Sequence, residues 1–320
     1  MIALSFMWLI GLLLLLSVIF FARRKWKITT ALLICILYLN WWAECIPFRF
    51  RSLSDEKKSR IIKVMSFNID GSSDDIDSKV YRIVSLIENC SPDVVFIAEY
   101  CEHDIKAIDT LLRKKFPEST LNKKGYFHYF YSKYPLVENR RLMDSVNKKG
   151  IGVYSTKIVK NGDTIALYGC HLPSNNYTAD MKCFSPDSIG TGDDILQYFQ
   201  NISDAHVKRG LQVDALVNDM KGCSYPVIVM GDMNDVGGSA AIRIMEKSGL
   251  RDAWWEGGCG YGATIHKPLP YRIDHILFSE GLKLMKIKVV NSEGLSDHDA
   301  LYAEFEIVIS HGFNRSHIYK

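Results

Sequence analysis

Asp232, Asn234 and Asp235 follow the apolar run Pro226–Met230, and Gly231, Gly237 and Gly238 flank them. Two carboxylates and an amide released together into a glycine-rich turn suit a hard divalent cation, because such ions take oxygen ligands. Similar endings recur along the chain. Asn68 closes VMSFN, Glu99 closes VVFIAE, and His171 closes LYGCH. Asp274 lies within YRIDHILFS, and Asp297 and His298 stand in LSDHDAL just before the last apolar stretch. One apolar run ending in a polar residue is ordinary turn chemistry. Repeated at six places, it points to a shared rim where loops converge. Carboxylates and amides can hold a cation there, while two histidines and an aspartate move protons and neutralise a phosphoryl oxyanion. There is no Gly-x-Ser-x-Gly, and no cysteine stands beside an evident base. The expected nucleophile is therefore activated water.

The elements that must position these residues read as follows. Ile61–Ile69 and Asp93–Tyr100 are expected as buried strands. Between them Val80, Ile83, Val84 and Ile87 recur at helical spacing over 78–89. A helix is expected near 104–115. YFHYFYS, GIGVYSTKIV and DTIALYGCHL read as strands, and 173–191, polar and rich in Ser, Asn, Asp and Gly, as a long loop. A helix over 193–220 precedes the Val227 strand, a helix follows from Ser239, and strands close the chain at 271–279, 282–290 and 301–309. Helices and strands alternate early and strands run together late, which predicts mixed rather than purely parallel sheets.

The 320-residue chain carries a net charge of +3, but its basic excess lies in the first sixty residues. Beyond Arg60 there are 30 Lys and Arg against 33 Asp and Glu, about −3. A protein that grips long nucleic acid usually carries a basic excess, which this part lacks. The eight cysteines form no Cys-x-x-Cys pair, so a zinc knuckle is not expected. Met1–Phe21 is uncharged and apolar, ARRKWK follows it, and a second apolar run, Ile28–Ala43, ends near Trp41 and Trp42. These runs predict one or two transmembrane helices, with a hairpin favoured because the basic turn reads as cytoplasmic. The expected organisation is an anchor over 1–46, a tether over 47–60 and a catalytic domain over 61–320. It places the protein at the cell membrane, with its domain outside the cytoplasm if the hairpin forms and inside it if there is a single span.

SFNI, VVFIAEY, GCHLPS, VMGDMND, RIDHILFS and LSDHDAL stand in the order in which the endonuclease/exonuclease/phosphatase superfamily carries its motifs. From about Lys63 to Ile309 the chain resembles that family. The resemblance implies a four-layer α/β sandwich: two packed mixed sheets flanked by helices. It implies a phosphoesterase dependent on Mg2+, with Mn2+ as substitute. Glu99 matches the principal metal ligand, Asn68 the Asn that contacts metal or phosphate, and Asp297 the Asp that adds a second metal contact. Asp232 and Asn234 match the pair that positions water and phosphate. His298 matches the active-site histidine, Asp274 the Asp that orients it, and His171 the histidine that stabilises the pentavalent phosphorus. The general base is left open between Asp232 and His298. The expected substrate is a phosphate ester: nucleic acid, lipid headgroup or small phosphodiester. The membrane is the other expected partner, and no protein partner is expected. The contrasting reading is a catalytically silent, membrane-tethered binding module of the same fold.

Overall fold

β8, Val227–Asp232, shows how the sequence builds the core. Alternate side chains of a strand face opposite sides. Ile228 and Met230 enter one apolar cluster, Val227 and Val229 another, and all four are fully buried. A strand apolar on both faces needs a layer on each side, and the chain supplies them. The computed structural model of the protein describes residues 2–43, 46–47, 60–69, 76–99, 105–120, 129–144, 152–174, 192–266 and 270–308.

The first sheet contains β1 (Ile61–Asn68), β2 (Val94–Ala98), β3 (Glu118–Ser119), β4 (Tyr129–Ser132), β11 (Leu282–Val290) and β12 (Ala300–Ile307), in the order β11-β12-β1-β2-β4-β3. The second contains β5 (Leu136–Asp144), β6 (Gly152–Lys160), β7 (Asp163–His171), β8, β9 (Arg251–Asp252) and β10 (Asp274–Phe278), in the order β5-β6-β7-β8-β10-β9. One apolar cluster, including Val64, Phe96, Phe130, Leu167, Met230 and Phe305, fills the space between the sheets. Helices α3 (Ile76–Cys90) and α4 (Ile105–Leu112) cover the first sheet. Helices α5 (Gly192–Lys221) and α6 (Ala240–Lys247) cover the second. Two packed mixed sheets flanked by helices are thus present, as expected. A short helix α7, Ala253–Gly257, follows β9.

Topology brings the polar strand ends together. β1 runs parallel to β2, and β7 parallel to β8, so Asn68, Glu99, His171 and Asp232 all leave the sandwich at one end. β10 and β12 run antiparallel to β8 and β1, which sets their starts at that same end. Asp274 pairs in register with Asp232, and His298 precedes Ala300. At Gly231, φ is +142° and a Cβ would stand 1.9 Å from the Cys170 carbonyl oxygen, so only glycine lets β8 pass β7 before its turn.

Two helices, α1 (Ile2–Ala22) and α2 (Trp26–Ala43), form an N-terminal hairpin, but the transmembrane reading is overturned. Among the described residues no helix is long and apolar enough to cross a membrane. A bilayer needs about 20 consecutive apolar residues. The apolar stretch of α2 is bounded by Lys27 and Asn40. Part of the apolar surface serves helix–helix packing instead: Phe6 and Ile10 meet Ile36 in a small cluster. Asn40 ties the chain back through both of its amide atoms to Ile46. The membrane localisation, and the extracytoplasmic placement that depended on it, fall with the spans. Most of the expected tether, residues 48–59, lies outside the described residues, as does 175–191 of the expected long loop. Among the described residues five cysteines are free.

A buried polar group locks the β9–β10 corner. Asp252 Oδ2 accepts from Arg272 Nη1 at 2.7 Å and lies 2.8 Å from His275 Nδ1, and all three side chains are buried. Asp252 Oδ1 caps α7 at the Trp254 and Trp255 amides. Burial pushes the Asp252 carboxyl up, but Arg272 and then His275 override it and hold it well below the ordinary carboxylate range. A depressed folded-state pKa contributes stability that is present above the unfolded value, about 4, and is lost as pH falls through the folded value. Asp252→Asn is therefore expected to cost about 3–5 kcal/mol at pH 7, because it leaves Arg272 buried without its counter-charge. The gap to the parent protein should narrow below about pH 4, and thermal unfolding from pH 7 to pH 2 reads both effects.

Candidate active site

Seven of the eight expected site residues form one connected group. Asn68 Nδ2 donates to Glu99 Oε1 at 2.9 Å and to Asp232 Oδ2 at 3.2 Å. His171 Nε2 lies 3.0 Å from Glu99 Oε1 and 3.9 Å from Asp232 Oδ2. His298 Nε2 lies 3.9 Å from the same Asp232 oxygen, and its Nδ1 is 2.8 Å from Asp274 Oδ2. Asn234 joins them as the seventh. Its backbone N–H donates to Asp232 Oδ1 at 2.8 Å, and its Nδ2 reaches Asp232 Oδ2 at 3.1 Å and the Leu172 carbonyl at 2.9 Å. Asp297 stands at the rim. Its side chain is half-exposed, and its Oδ1 is 4.0 Å from His298 Nε2.

Two of these residues occupy unusual backbone. Glu99 has φ +59° and Asn234 φ +49°. Asn tolerates this left-handed region, but a glutamate there holds about 1–3 kcal/mol of strain. In this conformation Glu99 meets Asn68 and His171.

Electrostatics follow from crowding acids and imidazoles in a buried place. Burial works against the Glu99 carboxylate, but the His171 hydrogen bond and charge, with Asn68, hold its pKa down at about 2. Burial also opposes charge on His171, yet Glu99 raises its pKa. Burial, reinforced by the Asp274 carboxylate, lifts Asp232 to about 6. His298 is raised to about 10: burial opposes its charge, and Asp274 overrides it.

One ligand atom from each of Glu99, His171 and Asp232 lies within 4.8 Å of the others, a set that could hold a metal ion. Carboxylate oxygens with an amide beside them fit a hard divalent cation. The expected ligand set was Glu99, Asn68 and Asp297. Glu99 belongs to the compact set, Asn68 bonds two of its members, and Asp297 lies outside it at the rim.

Residues 65–298 match the model of the Endonuclease/Exonuclease/phosphatase family. The chain belongs to this family. As a member it is a metal-dependent phosphoester hydrolase, so the silent binding module is not retained. Solved structures share the fold at low identity. A humanized D. rerio TDP2 carrying 14 mutations is 16% identical, with a TM-score of 0.60, over 78% of this chain and 100% of that one. A truncated Caenorhabditis elegans TDP2 is 19% identical, with a TM-score of 0.57, over 77% and 97%. D. rerio TDP2 complexed with single strand DNA product is 16% identical, with a TM-score of 0.59, over 77% and 99%. No curated protein matches the chain.

Sequence reasoning missed several supports of this family site. Ser296 Oγ donates to the Asn68 carbonyl at 2.8 Å and accepts the His298 N–H at 3.0 Å, so it ties β1 to the His298 loop. Its place two residues before His298 was the available signal. Arg209 of α5 is fully buried, donates to the Pro173 carbonyl at 2.6 Å, and sets Nε 3.3 Å from Asp235 Oδ2. It thereby clamps the turn that carries Asn234. A single arginine within an amphipathic helix announces no such burial. His275 has a related task, with Nε2 3.0 Å from the Asp235 carbonyl. Arg272 pairs with Asp252, which leaves Asp274 to His298.

Proposed function

We propose that this chain hydrolyses a phosphodiester or phosphomonoester by in-line attack of water, with Mg2+ as the resident cation and Mn2+ as its substitute. The observation that carries this reading is the meeting of Glu99, His171 and Asp232 within 4.8 Å of one another, beside the His298–Asp274 pair. Glu99, with Asp232 and His171 or the Asn68 amide, would hold the cation, which as a Lewis acid neutralises charge on a phosphoryl oxygen. Asp297 would add an outer contact from the rim.

The chain's own residues account for the remaining steps. Asn234 N–H fixes Asp232 Oδ1, so Asp232 is held in one orientation and accepts the proton of the attacking water. Asp274 holds His298 Nδ1, so Nε2 faces the phosphate and stabilises the charge that builds there. His171 adds a second imidazole on the Glu99 side. The water oxygen bonds to phosphorus as the ester P–O bond breaks. The alcohol departs and a phosphate with one ester bond fewer remains.

The test is a hydrolysis screen of the full chain against bis-p-nitrophenyl phosphate, single-stranded DNA, RNA, sphingomyelin and phosphoinositides, with Mg2+, Mn2+ or EDTA. Turnover of at least one ester that EDTA abolishes and Mg2+ restores is expected. Turnover indifferent to EDTA would sink the metal-assisted reading. Single-stranded DNA is included because the TDP2 structure holds such a product. The charge of about −3 beyond Arg60 favours a small ester over a long polyanion.

A further inference from the structure

A groove away from the active site lies between the outer face of β5, β6 and β7 and the C-terminal turn of α5. It encloses about 530 Å3, within the range of small-molecule sites, about 300–1,000 Å3. Strand register fixes which side chains face it. Ser155 pairs with Arg140 on one side and Tyr168 on the other, and Lys157 pairs with Ala166, so all five project from one face. Tyr168 and Ala166 belong to the apolar cluster beneath α5, which marks that face as the outer one. Asp219 of α5 and Tyr225 of the loop after it close the other side. Along β7, Ala166 pairs with Val227 at the start of β8, whereas His171 pairs with Asp232 at its end. About 17 Å of strand therefore separates the groove from the active site.

The ionic groups of the groove cancel in pairs. Asp219 takes both Nη atoms of Arg140, at 2.8 and 3.0 Å, and accepts from the Tyr168 hydroxyl at 2.8 Å. Lys157 Nζ bonds Glu138 on the neighbouring strand and stands 5.0 Å from the centroid of the Tyr225 ring. Two cations meet two carboxylates, so an ionic ligand finds no uncompensated charge. Hydrogen-bonding capacity of both kinds remains, because a guanidinium has more N–H donors than one carboxylate takes, and a carboxylate more lone pairs than one ammonium fills. Glu138 sits at φ +55°, where β5 shifts register against β6, and backbone strain of this kind concentrates at ligand sites. The deciding atom is Ser155 Oγ. Ser155 lines the groove and is 5% exposed, and its hydroxyl has no hydrogen-bond partner among the described residues. A buried hydroxyl without a partner carries a desolvation cost that a bound hydroxyl group relieves.

We propose that this groove binds a neutral mono- or disaccharide. A sugar hydroxyl donates and accepts at once, which matches a floor that offers both and carries no net charge. The Tyr225 ring, 37% exposed, gives the apolar edge of a sugar ring a surface to lie on. A phosphate or carboxylate would have to displace Asp219 or Glu138 from its cation, and an ammonium would have to displace Arg140 or Lys157 from its carboxylate. The groove is a second site and does not depend on the hydrolytic reading of the first.

The test is saturation-transfer NMR on the full chain with glucose, galactose, N-acetylglucosamine and maltose, and with adenosine and glycine as planar and zwitterionic comparators. At least one sugar is expected to bind with a Kd of about 1 mM, the strength that about a dozen ligand atoms supply at ordinary efficiency. Ser155→Val removes the hydroxyl and fills the floor, and should weaken that sugar about tenfold. Tyr225→Ala, at an exposed position, should weaken it about fivefold. Glu99→Gln should bind it as the parent does, because the active site lies elsewhere. Thermal unfolding checks that each variant is folded, and Tyr225→Ala keeps the test decisive if Ser155→Val is not. No sugar bound at about 20 mM, well above the expected Kd, overturns the proposal. So does sugar binding that is undiminished in the folded groove variants, or binding of adenosine or glycine in place of every sugar.

Discussion

Glu99→Gln is expected to lower kcat on any ester the protein turns over by about a thousandfold, with the fold retained. The substitution removes one charge and keeps the shape. In the parent protein that carboxylate is held ionised, its pKa near 2, by His171 and Asn68 against the pull of burial. It is also the one site residue other than Asn234 whose backbone is forced to positive φ. Strain of about 1–3 kcal/mol persists only where the surroundings overdetermine it. A carboxylate kept charged, part-exposed and strained at the end of β2 is what a cation site requires. Removal of a charge-stabilising contact worth about 4 kcal/mol in the transition state gives the thousandfold figure. The measurement is steady-state turnover with a parallel Mg2+ titration followed by thermal unfolding. Stabilisation by Mg2+ should be clear in the parent and much reduced in the variant, because only a ligand bound to the folded state raises its stability. Equal Mg2+ stabilisation in both proteins would show that Glu99 does not hold the ion.

His298→Ala should cost a similar factor, about a thousandfold in kcat, since an imidazole placed at the developing charge contributes about 10²–10³. Asp274→Asn should cost less, about a hundredfold, because the histidine remains but loses the carboxylate 2.8 Å from its Nδ1. The informative protein is the double variant. Asp274 also raises the Asp232 pKa, so it bears on both sides of the site, yet its direct contact is with His298. If it acts through the histidine, the double variant is no worse than His298→Ala alone. Groups that work as one unit are non-additive in this way. Multiplication of the two single losses would mean that Asp274 works independently of His298. The cycle needs kcat for four proteins, with thermal unfolding as the check that each is folded.

The sequence alone determined the strands that are apolar on both faces, because a residue such as Met230 or Phe96 has nowhere to go but a core. It also marked the polar residues at their ends, and their order resembles that of the family's motifs. Glu99, His171, Asp232 and His298 could be named as candidates for this reason. The weakly patterned elements were not: β5, with its irregular register against β6, and the two-residue β3 and β9 carry little periodicity to read. Nor did the sequence show that Arg209 is buried or that Arg272 is paired with Asp252, since partners tens of residues away leave no local mark. The N-terminal runs misled. Apolar composition measures a wish to leave water, and it does not say whether a bilayer or a second helix supplies the cover. Only tertiary structure decided that β1, β2, β7 and β8 deliver their ends to one place, through two parallel pairs facing each other across a shared core. The same structure set Trp8 against Tyr271, 263 residues apart, because contact between distant segments is a property of packing and not of any local stretch of chain.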